Sequence, residues 1–518
     1  MKIRLPSLYF FARRKLFFNK FSLKEMVLSV VLISSPMMMS TLLVSCSRDQ
    51  SSRENAQAPQ TKISDTSSFI SIQDVSGTPI AEAQVLIGEA LNVPFENNLF
   101  LSDKNGKIPM PSTWTTTTPL SVAAKGYVTA SFLHTSPNGG TFKLRKLNLQ
   151  KWVEYSGRTT GYQVFDDYSV ANIGLVFEAI KRIDLADFNI SKIVSPEIDT
   201  FSVFGSKVSV PSNLSIPEQT LSYIIPFKIA KPGFRVQLET QSDHLMVGLH
   251  AEFPVTDLIR GARNNTGIFD MINFFSFTSL SRQAQRIDDI NVNRDVDIST
   301  SQLLLKNHLN LPKFDKSLVM LTLSVLEEND SLIPLDVKNG LSGGSLDLNS
   351  LSQKHSSEKN IAVLKLKDST INDPIVSQEL MSISIHDAEM ATLPEQLSLL
   401  SAPVLKLNSI NLSLPTSVAR NIFQAGMYFA LSEIQPRVNS SVPSEIKNPL
   451  WDVYSPTWEE ISNLPALPNE MLVPTAAIHL PRRWTANLMG SDRNELTGLG
   501  PDRLKTVNYI TKSAADLK

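Results

Sequence analysis

The chain has a single cysteine, Cys46, in 518 residues. This excludes an intramolecular disulfide framework, a multi-thiolate metal site and a cysteine nucleophile elsewhere, so apolar cores alone must hold the folded parts. Glycine is scarcer than proline, 21 against 30. Proline at this frequency interrupts helices and suits edge strands, turns and loops, which favours β architecture. Charged residues make up only 19%, but the apolar fraction of 42% suffices for globular cores and excludes wholesale disorder. A chain this long exceeds one ordinary core, so two to four domains are expected. There is no excess of cations either. Residues 1–45 hold seven basic residues and one acid, and setting them aside leaves 42 basic against 49 acidic, a net charge of −7. A mildly acidic body lacks the clustered cations that phosphate contacts require, so no nucleic-acid partner is expected.

What is present is concentrated at the start. The seven cations Lys2, Arg4, Arg13, Arg14, Lys15, Lys20 and Lys24 precede an apolar stretch, Met26 to Ser45, which ends in Leu43-Val44-Ser45-Cys46. A basic region, an apolar region and a small residue before a cut are the parts of a secretory signal peptide. The last four residues resemble the lipobox of bacterial lipoproteins, with Leu, a branched residue, a small residue and Cys. The resemblance implies that residues 1–45 are removed and that Cys46 becomes the lipid-attachment site, with acyl chains holding the protein on a membrane. An uncleaved transmembrane helix is the alternative, since twenty residues can span a bilayer. Pro36 and five serines in the stretch weigh against it, while the basic region is longer than usual for a signal. Ser47, where an Asp would favour inner-membrane retention, implies a cell-envelope location on the outer membrane. Residues 46–68 are polar, cannot build a core, and read as a flexible tether.

From Phe69 the pattern becomes β. Ile70 and Ile72, then Ala83, Val85 and Ile87, alternate with polar neighbours, and turn signals stand at Ser76-Gly77-Thr78-Pro79 and Asp103-Lys104-Asn105-Gly106. With Asp74, Ile80, Gly126 and Tyr127, these residues are similar to the carboxypeptidase regulatory-like domain, a transthyretin-like β-sandwich. The similarity covers residues 69–150, with a longer stretch from Gly88 to Phe100. It implies a spacer or interaction module without catalytic residues.

Residues 151–290 are expected to form a mixed, mainly β domain with one helix. Hairpins are expected at 200–204 with 207–211 around Gly205-Ser206, and at 222–229 with 234–238 around Pro232-Gly233. His244 to Ile259 reads as extended, and the helix is placed at Ile268 to Gln285 on the apolar side made by Ile268, Met271, Ile272, Phe275 and Phe277. Residues 291–518 carry short apolar runs (303–305, 319–326, 361–366, 381–385, 404–414, 427–434) that fit one or two β-sandwich units. Pro449 to Pro468 reads as irregular packed loop. The fold class is therefore mainly β, multi-domain β-sandwiches with a few helices.

Four patterns raise chemistry. Gly340-Leu341-Ser342-Gly343-Gly344 satisfies G-x-S-x-G, but Ser345 to Leu348 alternates like a strand rather than opening the helix a nucleophile elbow needs. His355 and Glu358, with distant His479, have the residue types of a zinc site, though on a polar loop. Asp289, Asn291, Asn293, Asp295 and Asp297 would face one way in an extended chain, offering oxygens to calcium or simply a solvated strand face. Trp451, Tyr454, Trp458, Arg482, Arg483 and Trp484 could form a recognition surface for an envelope protein or glycan, or serve as packing. No cofactor and no metal are expected. The reading is a non-enzymatic, lipid-anchored envelope protein with binding or spacer β domains. A lipid-anchored hydrolase, serine- or zinc-dependent, is the alternative.

Overall fold

The computed structural model describes residues 69–147, 152–161, 168–188, 192–195, 197–203, 206–222, 224–240, 242–264, 272–287, 291–298, 302–351, 357–367, 379–415, 422–436, 445–472, 480–493 and 498–517. Cys46 and its surroundings lie outside them. The described residues fall in one compact unit, Ala56–Lys518.

The first seven strands are β1 (Phe69–Asp74), β2 (Gln84–Ile87), β3 (Leu99–Leu101), β4 (Lys107–Pro109), β5 (Thr118–Ala123), β6 (Thr129–Thr135) and β7 (Gly140–Leu144). They form a two-sheet sandwich, with β4-β1-β7 on one side and β6-β5-β2-β3 on the other. The turn residues singled out in the sequence make its corners. The Asp74 carboxylate accepts from the Ser76 and Thr78 amides, both at 2.9 Å. Asp103 accepts from the Asn105 and Lys107 amides, both at 2.8 Å. Gly106 takes φ +70°, and a side chain there would strike the Ile72 carbonyl at 2.3 Å. The long stretch after Gly88 is organised by Asn98, fully buried, whose amide reaches the carbonyls of Ile87, Ala90 and Val93.

Beside β6 the sheet continues. Residues 451–454 pair with β6 in parallel, and the ladder runs on to thirteen strands. From β6 outward these are 445–455, 423–436, 482–491, 509–517, 381–387, 358–366, 318–328, 331–340 and 180–181. Five of the six apolar runs expected beyond residue 291 lie within single strands, and 404–414 holds two short ones, Val404–Lys406 and Ser409–Asn411. A second sheet of seven strands includes β9 (Val170–Glu178) and the strands 214–222, 226–231, 242–254, 276–287, 302–310 and 345–351. Its Leu175, Phe177, Val247, Leu249, Phe277 and Leu280 share a core with Leu323, Leu335, Ile361 and Ile383 of the large sheet. Its opposite face, through Val176 and Met246, packs on a third layer made by β8 (Trp152–Thr160), 233–239 and 292–297. This explains why β9 is an almost unbroken apolar run. A strand buried on both faces has no solvent side to keep polar.

Four expectations are corrected. Residues 276–287 form a strand paired along its length with 242–254, not a helix; residues 265–271 lie outside the described set. Phe275, Phe277 and the alternation of Ser279, Ser281 and Gln283 with Leu280 and Ala284 satisfy a period of two, and the long ladder selects it. The α-helix instead occupies Val255–Asn264, where extended chain was expected, and carries an Asp257–Arg260 ion pair at 2.8 Å. The strand 226–231 pairs with 214–222, while 233–239 pairs with β8, so Pro232-Gly233 passes the chain between sheets rather than closing a hairpin. Residues 449–455, expected to be irregular, complete a strand. The hairpin of 198–203 with 206–211 is as expected.

Charges on and against the large sheet are neutralised in place. Arg145 makes a two-pronged contact with Asp452 at 2.8 and 2.6 Å and donates to the Tyr428 hydroxyl at 2.6 Å. Glu379 pairs with Lys447 and, at 3.4 Å, with Lys512, a lysine only 1% exposed. Burial pushes the Glu379 carboxyl up, but the two lysines outweigh it and bring it down to about 2. A carboxyl lowered this way contributes stability above its unfolded value near 4.5, and the contribution is lost as pH falls toward 2. Glu379→Ala strands the buried Lys512 ammonium and deprives the half-buried Lys447 of its partner, and is expected to cost about 3 kcal/mol. Denaturant unfolding at pH 7 measures this, and the gap between variant and wild type should narrow steadily between pH 4.5 and 2.

Candidate functional site

A cleft of about 650 Å³ lined mostly by polar residues opens in the third layer. Strand alternation aims Glu154, Ser156 and Arg158 of β8 toward it. Gly157 sits between them for a steric reason, since a side chain there would meet the Arg294 carbonyl at 2.1 Å. Without one, residues 292–293 and 296–297 close in parallel against β8. The acidic run of this segment has a structural use. Asn291 accepts from the Glu154 amide at 3.0 Å, and Asp295 from the Arg158 amide at 2.8 Å, so side chains complete β8's backbone hydrogen bonding. Asn293 and Asp295 also line the cleft, whereas Asp289 lies outside the described residues. No group of three or more His, Cys, Asp or Glu with metal-holding geometry occurs among the described residues.

The cleft floor is a charged cluster that the sequence reading missed. The Lys231 ammonium, nine-tenths buried, donates to the carbonyls of Leu214 at 2.5 Å, Gly233 at 2.7 Å and Ser212 at 3.2 Å. It also pairs with Asp199 at 3.0 Å. Arg235 binds Asp199 and reaches Glu154 at 3.3 Å. Burial raises the Asp199 carboxyl, but Arg235 and Lys231 outweigh it and the net direction is downward. At Lys231, burial prevails over Asp199 and lowers the amine. The signal available in sequence was weak, an Asp and a Lys each on a short alternating strand with nothing to say that the two strands meet. The exposed rim, Arg158, Thr200, Asn293 and Asp295, carries both charge signs and hydroxyl and amide groups.

The six residues expected to form a recognition surface are divided by strand alternation. Trp451 and Trp484 meet on one face of the large sheet, centroids 5.7 Å apart, and Trp458 joins the same core while donating to the Met489 carbonyl at 2.8 Å. Tyr454 lies on the opposite face, stacked between Phe132 at 5.4 Å and Tyr428 at 5.0 Å. Arg483 is buried in ion pairs with Glu445 at 2.6 Å and Asp516 at 2.5 Å. Only Trp451 and Arg482 retain partial exposure.

The hydrolase candidates have other occupations. Ser342 donates to the Phe314 carbonyl at 2.6 Å and accepts from its amide at 2.7 Å, fastening a turn before the strand 345–351. Glu358 accepts from the Ser350 hydroxyl at 2.6 Å and the Leu351 amide at 3.2 Å. His355 and His479 lie outside the described residues. In a second cleft, of about 490 Å³, burial lowers His386 to about 4, so its ring is neutral, and it contacts Ser384 at 2.7 Å. The Ser384 side chain is fully buried and out of reach of a substrate.

No protein-family model matches the chain, and no curated protein does. Two bacterial proteins are among the solved structures that match. One is a candidate adhesin from Bacteroides ovatus, at 11% identity and TM-score 0.13, covering 46% of this chain and 84% of that one. The other is BcpA, the major pilin subunit of Bacillus cereus, also at 11% identity and TM-score 0.13, covering 63% of this chain and 96% of that one. Superposition at that level carries no argument about function, and the site is read from its own geometry.

Asp199→Ala should leave Lys231 buried without its counter-ion and lower stability by about 3 kcal/mol. Lys231→Met removes the stranded charge but also the donor to three backbone carbonyls, so the double variant should lose less than the sum of the two single losses without returning to wild type. Thermal denaturation of the two single variants and the double variant checks this. Additive losses would show that the two side chains are independent.

Proposed function

We propose that this protein is a non-enzymatic, lipid-anchored component of the bacterial cell envelope that binds a hydrophilic partner, an envelope protein or glycan, in the cleft beside β8. The anchor rests on Leu43-Val44-Ser45-Cys46, where the chain's sole cysteine ends the apolar stretch. The outer membrane is favoured by Ser47, and two acyl chains or more give durable attachment where one is marginal. Residues 46–68 then act as the tether, and residues 69–150 as a regulatory-like spacer module.

The observation that carries binding rather than catalysis is the composition of the cleft. Its buried acid and amine are spent on each other and on backbone carbonyls, while its free rim offers Arg158, Thr200 and Asn293. Catalysis needs a nucleophile or base with an unspent lone pair facing the ligand. Reversible recognition needs only convergent donors and acceptors on a rigid wall. Ser342 and Glu358, bound into turns and strand ends, give the hydrolase alternative no support.

Growth of the native cells with labelled palmitate should mark the wild-type protein and not Cys46→Ala, and the variant should leave the membrane fraction. A protein equally membrane-bound after that substitution would refute acylation as the anchor. For the cleft, crosslinking in intact cells should capture a specific partner that Arg158→Glu loses. Capture unchanged by that variant would place binding elsewhere.

A further inference from the structure

Between Glu218 and Lys228 the sequence carries no charge. This stretch takes the chain from the strand Leu214–Ser222 into the strand Pro226–Lys231, and the last cross-strand pair is Ser222 with Pro226. At the apex Ile224 and Ile225 are 82% and 68% exposed. Among the described residues they are the one adjacent pair of large apolar side chains that both stand in solvent. Pro226 is exposed beside them. Tyr168, half-exposed, is held next to the apex by a bond from the Ser222 amide to its carbonyl at 2.7 Å. One step below, Leu221 and Phe227 turn into the core of the second sheet. The hairpin uses those two for its packing and has no such use for the isoleucines. Leu407 is more exposed still, but it stands between Lys406 and Asn408.

Area decides what kind of surface can cover this knob. It exposes on the order of 400 Å², about half of the roughly 800 Å² that each partner buries in a stable protein complex. A bilayer asks for less, because it needs no complementary pocket and the acyl chains would already supply most of the attachment. Once one attachment is made, the second is intramolecular and a small apolar area suffices. Reach is not an obstacle. The 23 residues 46–68 span at most about 75 Å. A compact body of some 450 residues has a radius of gyration of about 22 Å, so each of its faces can be brought against the membrane.

We propose that the Ile224–Ile225 apex is a membrane-contact tip, which enters the head-group boundary of the bilayer that holds the acyl chains of Cys46. The proposal rests on the anchor reading above. Depth agrees with it. Lys228, the first charge on the descending strand, lies two residues past Pro226, a rise of about 7 Å. Apolar segments that lie in the interface are buried by about 5–10 Å. Lys228 and its ion-pair partner Glu218, both well exposed, then stay in water, and Tyr168 sits at the level where aromatic residues are favoured. Two points of attachment, one covalent and one apolar, would fix which face of the protein looks at the membrane.

The test uses the full chain, isolated from the membranes of its own cells as the Ile225→Cys variant and reconstituted into vesicles of phosphatidylethanolamine and phosphatidylglycerol. With Cys46 acylated, the introduced thiol is the only free one and takes a polarity-sensitive dye. The expected result is emission shifted to the blue, a severalfold loss of quenching by iodide, and quenching by brominated acyl chains. Adding Ile224→Glu should return the dye to water without releasing the protein. Dye on Leu407→Cys should stay open to iodide; equal shielding there would trace the effect to the dye and overturn the proposal. Mass spectrometry of the same samples reads acylation separately. A dye left in water on an acylated chain overturns the tip and leaves the anchor standing, whereas an unacylated chain refutes the anchor and this proposal with it. A dye shielded in intact cells yet wet in the protein-free vesicles would assign the apex to a protein partner and overturn the proposal as well.

Discussion

The large sheet depends on one constraint, that every strand within it must find a hydrogen-bonding neighbour on both sides. The parallel pairing of 451–454 with β6 meets that requirement at the seam between the first sandwich and the rest. It also dictates what lies on the two faces. Residues 427 and 429 face one core and 428 and 430 the other, so both faces of the strand 423–436 are committed to packing. Charged groups caught in such a sheet cannot turn to water, and they survive by pairing. Arg145 with Asp452, and Glu379 with Lys447 and Lys512, are consequences of strand order rather than ornaments added to it.

The sequence made the β class legible because alternation and turn chemistry are local. Asp74, Gly77, Asp103 and Gly106 act within a few residues of themselves, and the corners of the first sandwich could be read from them. The failures share one physical cause. Residues 276–287 admit either a helical or an extended reading, and only the partner strand 242–254, which no local pattern announces, decides. Pro232-Gly233 has the composition of a hairpin turn, yet the chain passes with a one-residue break from the strand 226–231 into 233–239, and each pairs with a different strand. The aromatic and arginine group near the C-terminus looked like one surface because its members are close in sequence. Alternation sends Trp451 and Tyr454 to opposite faces, and adjacent Arg483 and Trp484 likewise. The cleft floor was illegible for the complementary reason, since Asp199, Lys231 and Arg235 come from strands whose meeting is a long-range fact.

The same economy governs what the cleft can do. Lys231 makes four polar contacts, three of them to backbone carbonyls, so its ammonium is part of the scaffold that keeps three strands in place. A ligand that competed for it would have to replace those carbonyls, which no single group can do in one geometry. Binding energy must therefore come from the rim, where Arg158 and Thr200 are exposed, and from water displaced along the wall. Rim contacts of mixed sign give orientation and selectivity more than strength. Moderate affinity multiplied by many copies is how such a site becomes effective, because linked or crowded modules raise each other's local concentration without any new contact. If the anchor proposed at Cys46 holds the chain on a membrane, crowding of copies there would supply that multiplication to the mixed-charge cleft.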